Sequence, residues 1–435
     1  MNSVEEHPSA TALRSVPTKP SLLSVVSWML YDLANTIFSM NIVSLYFSLW
    51  VVNVMGGNDA SYGFATSISM AIIFIVSPFL GALTDQVPRR MPFLVASTLV
   101  CVSFTLLLGQ GSLLVSLIFF VLANIGYQAG LQFYDALLPE VSTEENRGRI
   151  GGMGVGLGYL GSFIGVGTGL LLLRGVDALP LAAQSARYMT VFQISAVLFL
   201  VFALPCFFFV RERQRLNRRF SLTAVGAAVR QVSETLRSSR QHPDLIRFLI
   251  GRVFYTDAIN TVIAFMGIYV TNEVGFSTQD SQLVLLLAIV FAVVGGFIWG
   301  GVVDRIGPRR TLHIVLWMWM GIFVLTAAIG YLNVPGIFFW PVPCLAGIAL
   351  GGTWTADRPY MLRLTPPDRI GEFYGLYGMV GRFSAITGPF TWALIVDILD
   401  LGRPFAITTL LVGVVIAYII LRPVSDARRV WDSDA

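Results

Sequence analysis

Charge is scarce in this chain. Asp, Glu, Lys and Arg make up 12% of its 435 residues, about half the share usual in soluble domains, which excludes an ordinary water-soluble protein. Lysine is almost missing: Lys19 stands alone and every other cationic chain is an arginine. The net charge of +4 comes from those scattered arginines, so it gives no reason to expect nucleic acid as a partner. Cysteine is rare too. Cys101, Cys206 and Cys344 lie in separate apolar runs without ligand spacing, which points to packing rather than a disulfide or a metal. The three histidines, His7, His242 and His313, fall outside mid-span positions and make poor proton carriers. No His–carboxylate cluster, nucleophile constellation or nucleotide-binding segment is present, so neither an enzyme nor a cofactor is expected. Gly156-x-Gly158-x-x-Gly161 imitates a dinucleotide fingerprint, but no strand precedes it, and its glycine-rich setting reads as close helix packing.

What the chain has in abundance is apolar sequence, 55% of the total. Long apolar runs between polar breaks predict an all-α polytopic membrane protein with twelve transmembrane helices. The first six are Leu22–Val51, Ser61–Leu83, Met91–Leu108, Ser112–Leu138, Ile150–Leu173 and Tyr188–Val210. The second six are Leu245–Val270, Ser281–Val303, Thr311–Leu332, Gly336–Leu364, Glu372–Ile398 and Arg403–Leu421. The expected organisation is a tail (1–20), a six-helix bundle (21–210), a polar linker (211–244), a second bundle (245–422) and a tail (423–435). The polar start, with Glu5, Glu6 and Pro8, does not resemble a cleaved signal peptide, so the first helix should be retained. Within the linker, Leu222, Val225, Val229, Val232 and Leu236 recur at helical spacing among arginines, the pattern of an amphipathic helix on a membrane surface. If the N-terminus is cytoplasmic, most cations, Arg358, Arg363 and Arg369 counted among them, fall in cytoplasmic segments, and only Arg174, Arg187 and Arg403 face outward. Both termini are therefore expected inside, in the inner membrane of a bacterium.

The chain is written twice. Asp32-x-x-Asn35-Thr36 returns as Asp257-x-x-Asn260-Thr261, offset by 225 residues. Asp85 with Arg89 and Arg90, at the end of span two, returns as Asp304 with Arg309 and Arg310, offset by 219. Tyr134-Asp135 ahead of span five is echoed by Ala356-Asp357 ahead of span eleven, offset by 222. Three landmarks at nearly one offset indicate a duplicated six-span unit.

A charge at mid-bilayer depth costs roughly 2.5–3.5 kcal/mol on insertion scales. Asp32 and Asp257 are therefore candidates for a coupling site. Each could carry a proton across, or with Asn35, Asn260 and the two threonine hydroxyls offer oxygens to Na⁺. Alternatively, each caps a helix break or pairs with Arg252 or Arg382, the only arginines that fall well inside spans. Arg382, near mid-depth, needs an aspartate or an anionic substrate group. Arg252, nearer the cytoplasm, reads as a gate or ion-pair residue. On span four, Asn124, Gln128, Gln132 and Asp135 share one helical face, with Asn124 and Gln128 deep enough to touch substrate. Helix–helix hydrogen bonding is the other explanation for that stripe. Asp85 and Asp304 are expected to latch one face shut by pairing with arginines and capping a neighbouring helix N-terminus.

The Gly-x-x-x-Asp-x-x-x-Arg-Arg pattern at Gly81–Arg90 and its copy at Gly300–Arg310 resemble the signature of the major facilitator superfamily, with Gln86 and Pro88 in place of Arg and Gly. Trp28–Thr36, Phe248–Asp257, Gly371–Tyr377 and Gly388-Pro389 resemble the first, seventh and eleventh helices of its vacuole-effluxer-like family. That resemblance implies two pseudo-symmetric bundles and a secondary transporter working by alternating access, with an amino acid as favoured solute. It further implies H⁺ or Na⁺ as coupling ion, no cofactor, lipid as surroundings and a monomer. Two alternatives stay open: a cation-coupled sugar symporter, and a transporter-fold sensor that moves nothing.

Overall fold

The computed structural model describes residues 20–212 and 243–425, apart from positions 58, 86, 88, 277, 333, 367 and 368. The linker helix expected around Leu222–Leu236 lies outside the described residues, as do His7, His242 and most of both tails.

Among the described residues, twelve helical spans follow one another. In the first half, α1 is Leu22–Phe38, prolonged by wider π turns to Val54, and α2 is Asp59–Asp85. Then come α3 (Met91–Leu106), α4 (Leu113–Asp135), α5 (Arg147–Leu172) and α6 (Leu181–Phe209). The second half holds α7 (Pro243–Asn272), α8 (Thr278–Ile306), α9 (Pro308–Leu332), α10 (Pro341–Leu364), α11 (Ile370–Ala393) and α12 (Arg403–Leu421). Eleven of these, among the described residues, are long and apolar enough to cross a membrane; α3, with 16 residues, is the short one. With an even number of crossings, residues 20 and 425 lie on one face, called here the terminal face.

The apolar runs fix where the helices are, and local chemistry trims their ends. Ser112 caps α4 by accepting the Val115 N–H, and prolines stand at the first turn of α9, α10 and α12, where no intrahelical N–H is needed. The sixth span starts at Leu181, ahead of the expected Tyr188, with Pro180 at its N-cap. Pro78, Pro205 and Pro359 sit inside helices that continue through them, as neighbouring helices allow in membranes.

Within the first half α1 packs on α5 and α6, α2 on α4, and α3 on α4 and α6. In the second half α7 packs on α11 and α12, α9 on α10 and α12, and α8 on α10. The halves meet along two seams, α2 with α11 and α5 with α8, which exchange under the internal repeat. Glycine explains how close they come. A Cβ on Gly152 would strike the Gly296 carbonyl, and one on Gly156 would meet Phe297, both on α8. The opposite edge of α5 takes α1: Gly154 faces Trp28, Gly158 faces Asp32, and Gly161 faces the Leu33 carbonyl. The fingerprint-like glycines are therefore two helix-packing edges.

Candidate functional site

Between the halves lies a cavity of about 500 Å³, lined by α1, α2, α4, α5, α7, α10 and α11. Asp32, Asn35, Thr36, Gln128, Gln132, Asp135, Arg252, Asn260, Arg358 and Arg382 all face it. Aromatic packing sets the pose of α1. Trp28 stacks on Tyr134 at 4.5 Å and donates to its carbonyl, while Tyr31 stacks on the same ring and shares a 2.6 Å hydrogen bond with Thr98. With those rings held in the first half, the next position, Asp32, is turned toward the second.

Asp32 meets Arg358 of α10, whose Nη1 donates to Oδ2 at 3.4 Å. The same guanidinium has Nε 3.0 Å from Asp135 Oδ1, close enough for an ion pair although the N–H is not aimed at that oxygen. One cation of the second half thus serves two carboxylates of the first, and all three side chains are at least 88% buried. Arg358 was expected among the cytoplasmic loop cations, and this placement corrects that reading. It lies inside α10, six residues before the helix ends at Leu364, which is also the end expected for that span.

Arg252 does not neutralise Asp257, as the sequence allowed. Its Nε donates to Asp357 Oδ2 at 3.0 Å, its Nη1 donates to the Tyr377 carbonyl at 2.9 Å, and its guanidinium carbon lies 3.6 Å from the Tyr377 ring centre. Asp357 also accepts the Tyr255 hydroxyl at 2.6 Å and the Tyr377 hydroxyl at 2.8 Å. That carboxylate is fully buried and well supplied with donors, so the Arg252–Asp357 pair reads as a fixed strut within the second half.

Arg382 differs. Its Nη1 donates to Ser77 Oγ and its Nη2 to the Gln128 carbonyl, both at 2.9 Å and both in the first half. Its Nε has no partner, and no carboxylate pairs with it among the described residues, although it is only 6% exposed. Asn35 is similar. It is 2% exposed, and neither its Nδ2 nor its Oδ1 has a partner. The cavity therefore keeps one cation and one amide with unused hydrogen-bonding capacity, which is costly unless something else fills it.

Two expected site residues stand elsewhere. Asp257 does not line the cavity; it accepts the Thr387 hydroxyl at 2.6 Å on the α7–α11 contact, because α11 comes close there at Gly388. Asn124 is fully buried away from the cavity, with Nδ2 donating to Ser69 Oγ at 2.7 Å, so the upper end of the span-four stripe bonds helix to helix. Its lower end does reach the cavity: Gln132 exchanges hydrogen bonds with Ser77, through the Ser77 hydroxyl and, at 2.9 Å, the Ser77 carbonyl.

The terminal face is shut by two equivalent clasps. Asp85 accepts the N–H groups of Gly371 and Glu372 at 2.8 Å each, at the start of α11, and pairs with Arg90 at 2.5 Å. Asp304 accepts those of Gly148 at 2.7 Å and Arg149 at 3.0 Å, at the start of α5. Each aspartate caps a helix of the opposite half, where the helix dipole favours negative charge. The expected arginine partners are partly wrong. Arg89 and Arg310 are exposed, Arg309 donates to the Arg422 carbonyl at 2.5 Å, and Asp304 has Arg149 as its distant cation at 3.9 Å. The hydrogen bonds and ion pairs named between the halves lie at mid-span or nearer the terminal face, so this is a conformation closed on that side.

The vacuole effluxer Atg22-like family model matches residues 50–430. The uncharacterized MFS-type transporter YxiO of Bacillus subtilis is 25% identical over 407 residues, covering 91% of this chain and 93% of that protein. Autophagy-related protein 22-1 of Neosartorya fischeri is 24% identical over 308 residues, 65% of this chain but 49% of the fungal protein. The crystal structure of the major facilitator transporter FucP in its outward conformation matches the fold with a TM-score of 0.71 at 14% identity, covering 93% of this chain and 98% of that one. Two six-helix halves, exchanging seams, paired clasps and a central polar cavity agree with these matches, and the chain belongs to the vacuole effluxer Atg22-like family of the major facilitator superfamily.

Proposed function

We propose that the protein is a secondary active transporter for a small polar organic solute that bears a carboxylate, an amino acid being favoured. It would work by alternating access, with Asp32 as coupling carboxylate and H⁺ or Na⁺ as the ion. One observation carries this reading: Arg382 is buried at a central cavity, its Nε has no partner, and no carboxylate among the described residues forms an ion pair with it. A substrate carboxylate supplies the missing anion, and a guanidinium suits it geometrically. Asn35 and Asn260 offer donors and acceptors for the rest of the polar end. Met40, Met70, Leu131 and Trp354 give the hydrocarbon part an apolar wall. In this reading residues 21–210 and 245–422 are the two moving bodies, 211–244 the tether between them, and the monomer the working unit. The exposed arginines Arg89, Arg149, Arg305 and Arg310 at the terminal face support placing both termini in the cytoplasm of a bacterium.

The test is a transport panel of amino acids and sugars in proteoliposomes, run with and without Na⁺ and with imposed pH gradients. Arg382→Ala should cut transport of carboxylate solutes by roughly 30-fold or more, the loss typical of a buried charge contact, and spare any neutral solute. Asp32→Asn should abolish gradient-driven accumulation while leaving exchange partly intact. A glycoside transported equally well by the Arg382 variant would overturn the assignment.

A further inference from the structure

We propose that the coupling device is the Asp32–Arg358–Asp135 trio, with Asp135 as the second proton-carrying group and Arg358 as the switch between the halves. The proposal rests on the alternating-access reading above, and it replaces the symmetric partner Asp257 with a residue on another helix.

The geometry supplies the reason. Asp32 on α1 and Asp135 on α4 belong to the first half, whereas Arg358 on α10 belongs to the second. No other ion pair crosses between the halves in the cavity wall among the described residues. Opening the terminal face must carry α10 away from α1 and α4, and so must break both contacts at once. With both acids ionised the trio holds charge −1, and parting it leaves two carboxylates and a guanidinium in a poorly hydrated cleft. A proton taken from the aqueous side onto either carboxylate makes the trio neutral and leaves one ion pair to break instead of two. Once the terminal face has opened, that proton leaves to the water there, and re-formation of the trio closes the face again. Charge is thus tied to conformation through a contact that exists in only one of the two states.

The groups around the trio do not compete for that role. They are Tyr127 and Tyr134 on α4, Tyr159 on α5, Arg252 on α7 held by Asp357 on α10, and Tyr374, Tyr377 and Arg382 on α11. Phenols and guanidiniums ordinarily titrate above about pH 10. Asp357 already accepts three hydrogen bonds from Arg252, Tyr255 and Tyr377. Among the described residues Asp257 accepts the Thr387 hydroxyl, on α11 of its own half, and pairs with no cation, so its protonation breaks no contact between the halves.

The experiment reads conformation and needs no substrate. Spin labels are placed through Glu145→Cys and Arg422→Cys, exposed positions at the terminal ends of opposite halves, with Cys344→Ser removing the half-buried thiol. Distances are measured by electron–electron resonance in detergent and in lipid nanodiscs at pH 8 and pH 5.5, in choline buffer and with Na⁺. In the otherwise unaltered chain, acid should raise the open-to-closed ratio at the terminal face about tenfold. Asp135→Asn alone should reduce that response. Asp32→Asn with Asp135→Asn should give an open fraction that is high and the same at both pH values. Arg358→Lys, which keeps the charge, and Asp257→Asn should both retain the response. Melting curves of every variant separate altered coupling from misfolding. A double variant that still responds to pH overturns the proposal, as does a response to Na⁺ in place of protons. If the transport panel shows no carboxylate solute while this pH response appears, the substrate assignment alone fails.

Discussion

Removing Asp85 should unlock the terminal face, and the size of the effect can be worked from the clasp. Its carboxylate accepts two N–H groups of α11, at 2.8 Å each, across the seam between the halves. The pairing with Arg90 lies within the first half and persists when the halves part, so it does not enter the balance between conformations. Hydrogen bonds to a charged acceptor contribute about 1.5–3 kcal/mol each. That figure is already net of the water that takes their place in the open state, so two of them favour the closed face by about 3–6 kcal/mol. At about 1.4 kcal/mol per tenfold change, Asp85→Ala should raise the open-to-closed ratio by roughly 100- to 20,000-fold. The assay is alkylation of a single cysteine at Thr355, which is fully buried on α10 and packs against Gly152 of α5 across the other seam. A hydrophilic maleimide applied to the terminal face reaches it only when that face opens, so its rate follows the open population. The same substitution at Asp304, where the two bonds are 2.7 and 3.0 Å, should give an effect of like size. Alkylation accelerated less than about threefold in both variants would refute the clasp reading.

Glycine sets the same clasps, so Gly148→Ala should act in the same direction: its Cβ would land on Val303 and Asp304, and both alkylation rate and melting temperature report it. Asn124→Ala should lower stability by about 1–2 kcal/mol, because Ser69 loses its buried partner, yet leave the order of solute preference unchanged in the transport panel. Asp357→Asn removes the charge that balances the buried Arg252, a change that typically costs about 3–5 kcal/mol. It should show as a large drop in melting temperature whatever the pH.

Hydropathy located nearly every span, since a run of about 20 apolar residues has few other uses. The internal repeat was legible because duplication keeps the spacing of costly residues. Spacing alone could not separate Asp32 from Asp257. Both stand three residues before an asparagine, and both asparagines do line the cavity. What divides the two acids is their neighbours: Arg358 faces the first, while α11 closes over the second at Gly388. Arg358 itself was hidden by its place near the expected end of its span, close to Arg363 and Arg369, with which it was counted as a loop cation. Partners such as Arg252 with Asp357 are 105 residues apart, a pairing set by how α7 meets α10 rather than by any local pattern. The clasps were readable as motifs, but their donors needed the opposite half: nothing around Gly148 or in the Gly371–Tyr377 stretch marks those N–H groups as the ones the aspartates accept from.

The most direct test of the central claim is binding of one amino acid and its carboxamide to purified protein by calorimetry, in the unaltered chain and in Arg382→Gln. The two ligands share every atom except those facing the guanidinium, and the variant keeps a polar side chain of similar reach. The account predicts that the unaltered chain prefers the carboxylate by roughly 30-fold or more and that Arg382→Gln loses this preference while still binding the amide. Equal affinity of the unaltered chain for both ligands, or a preference that survives in the variant, would contradict it.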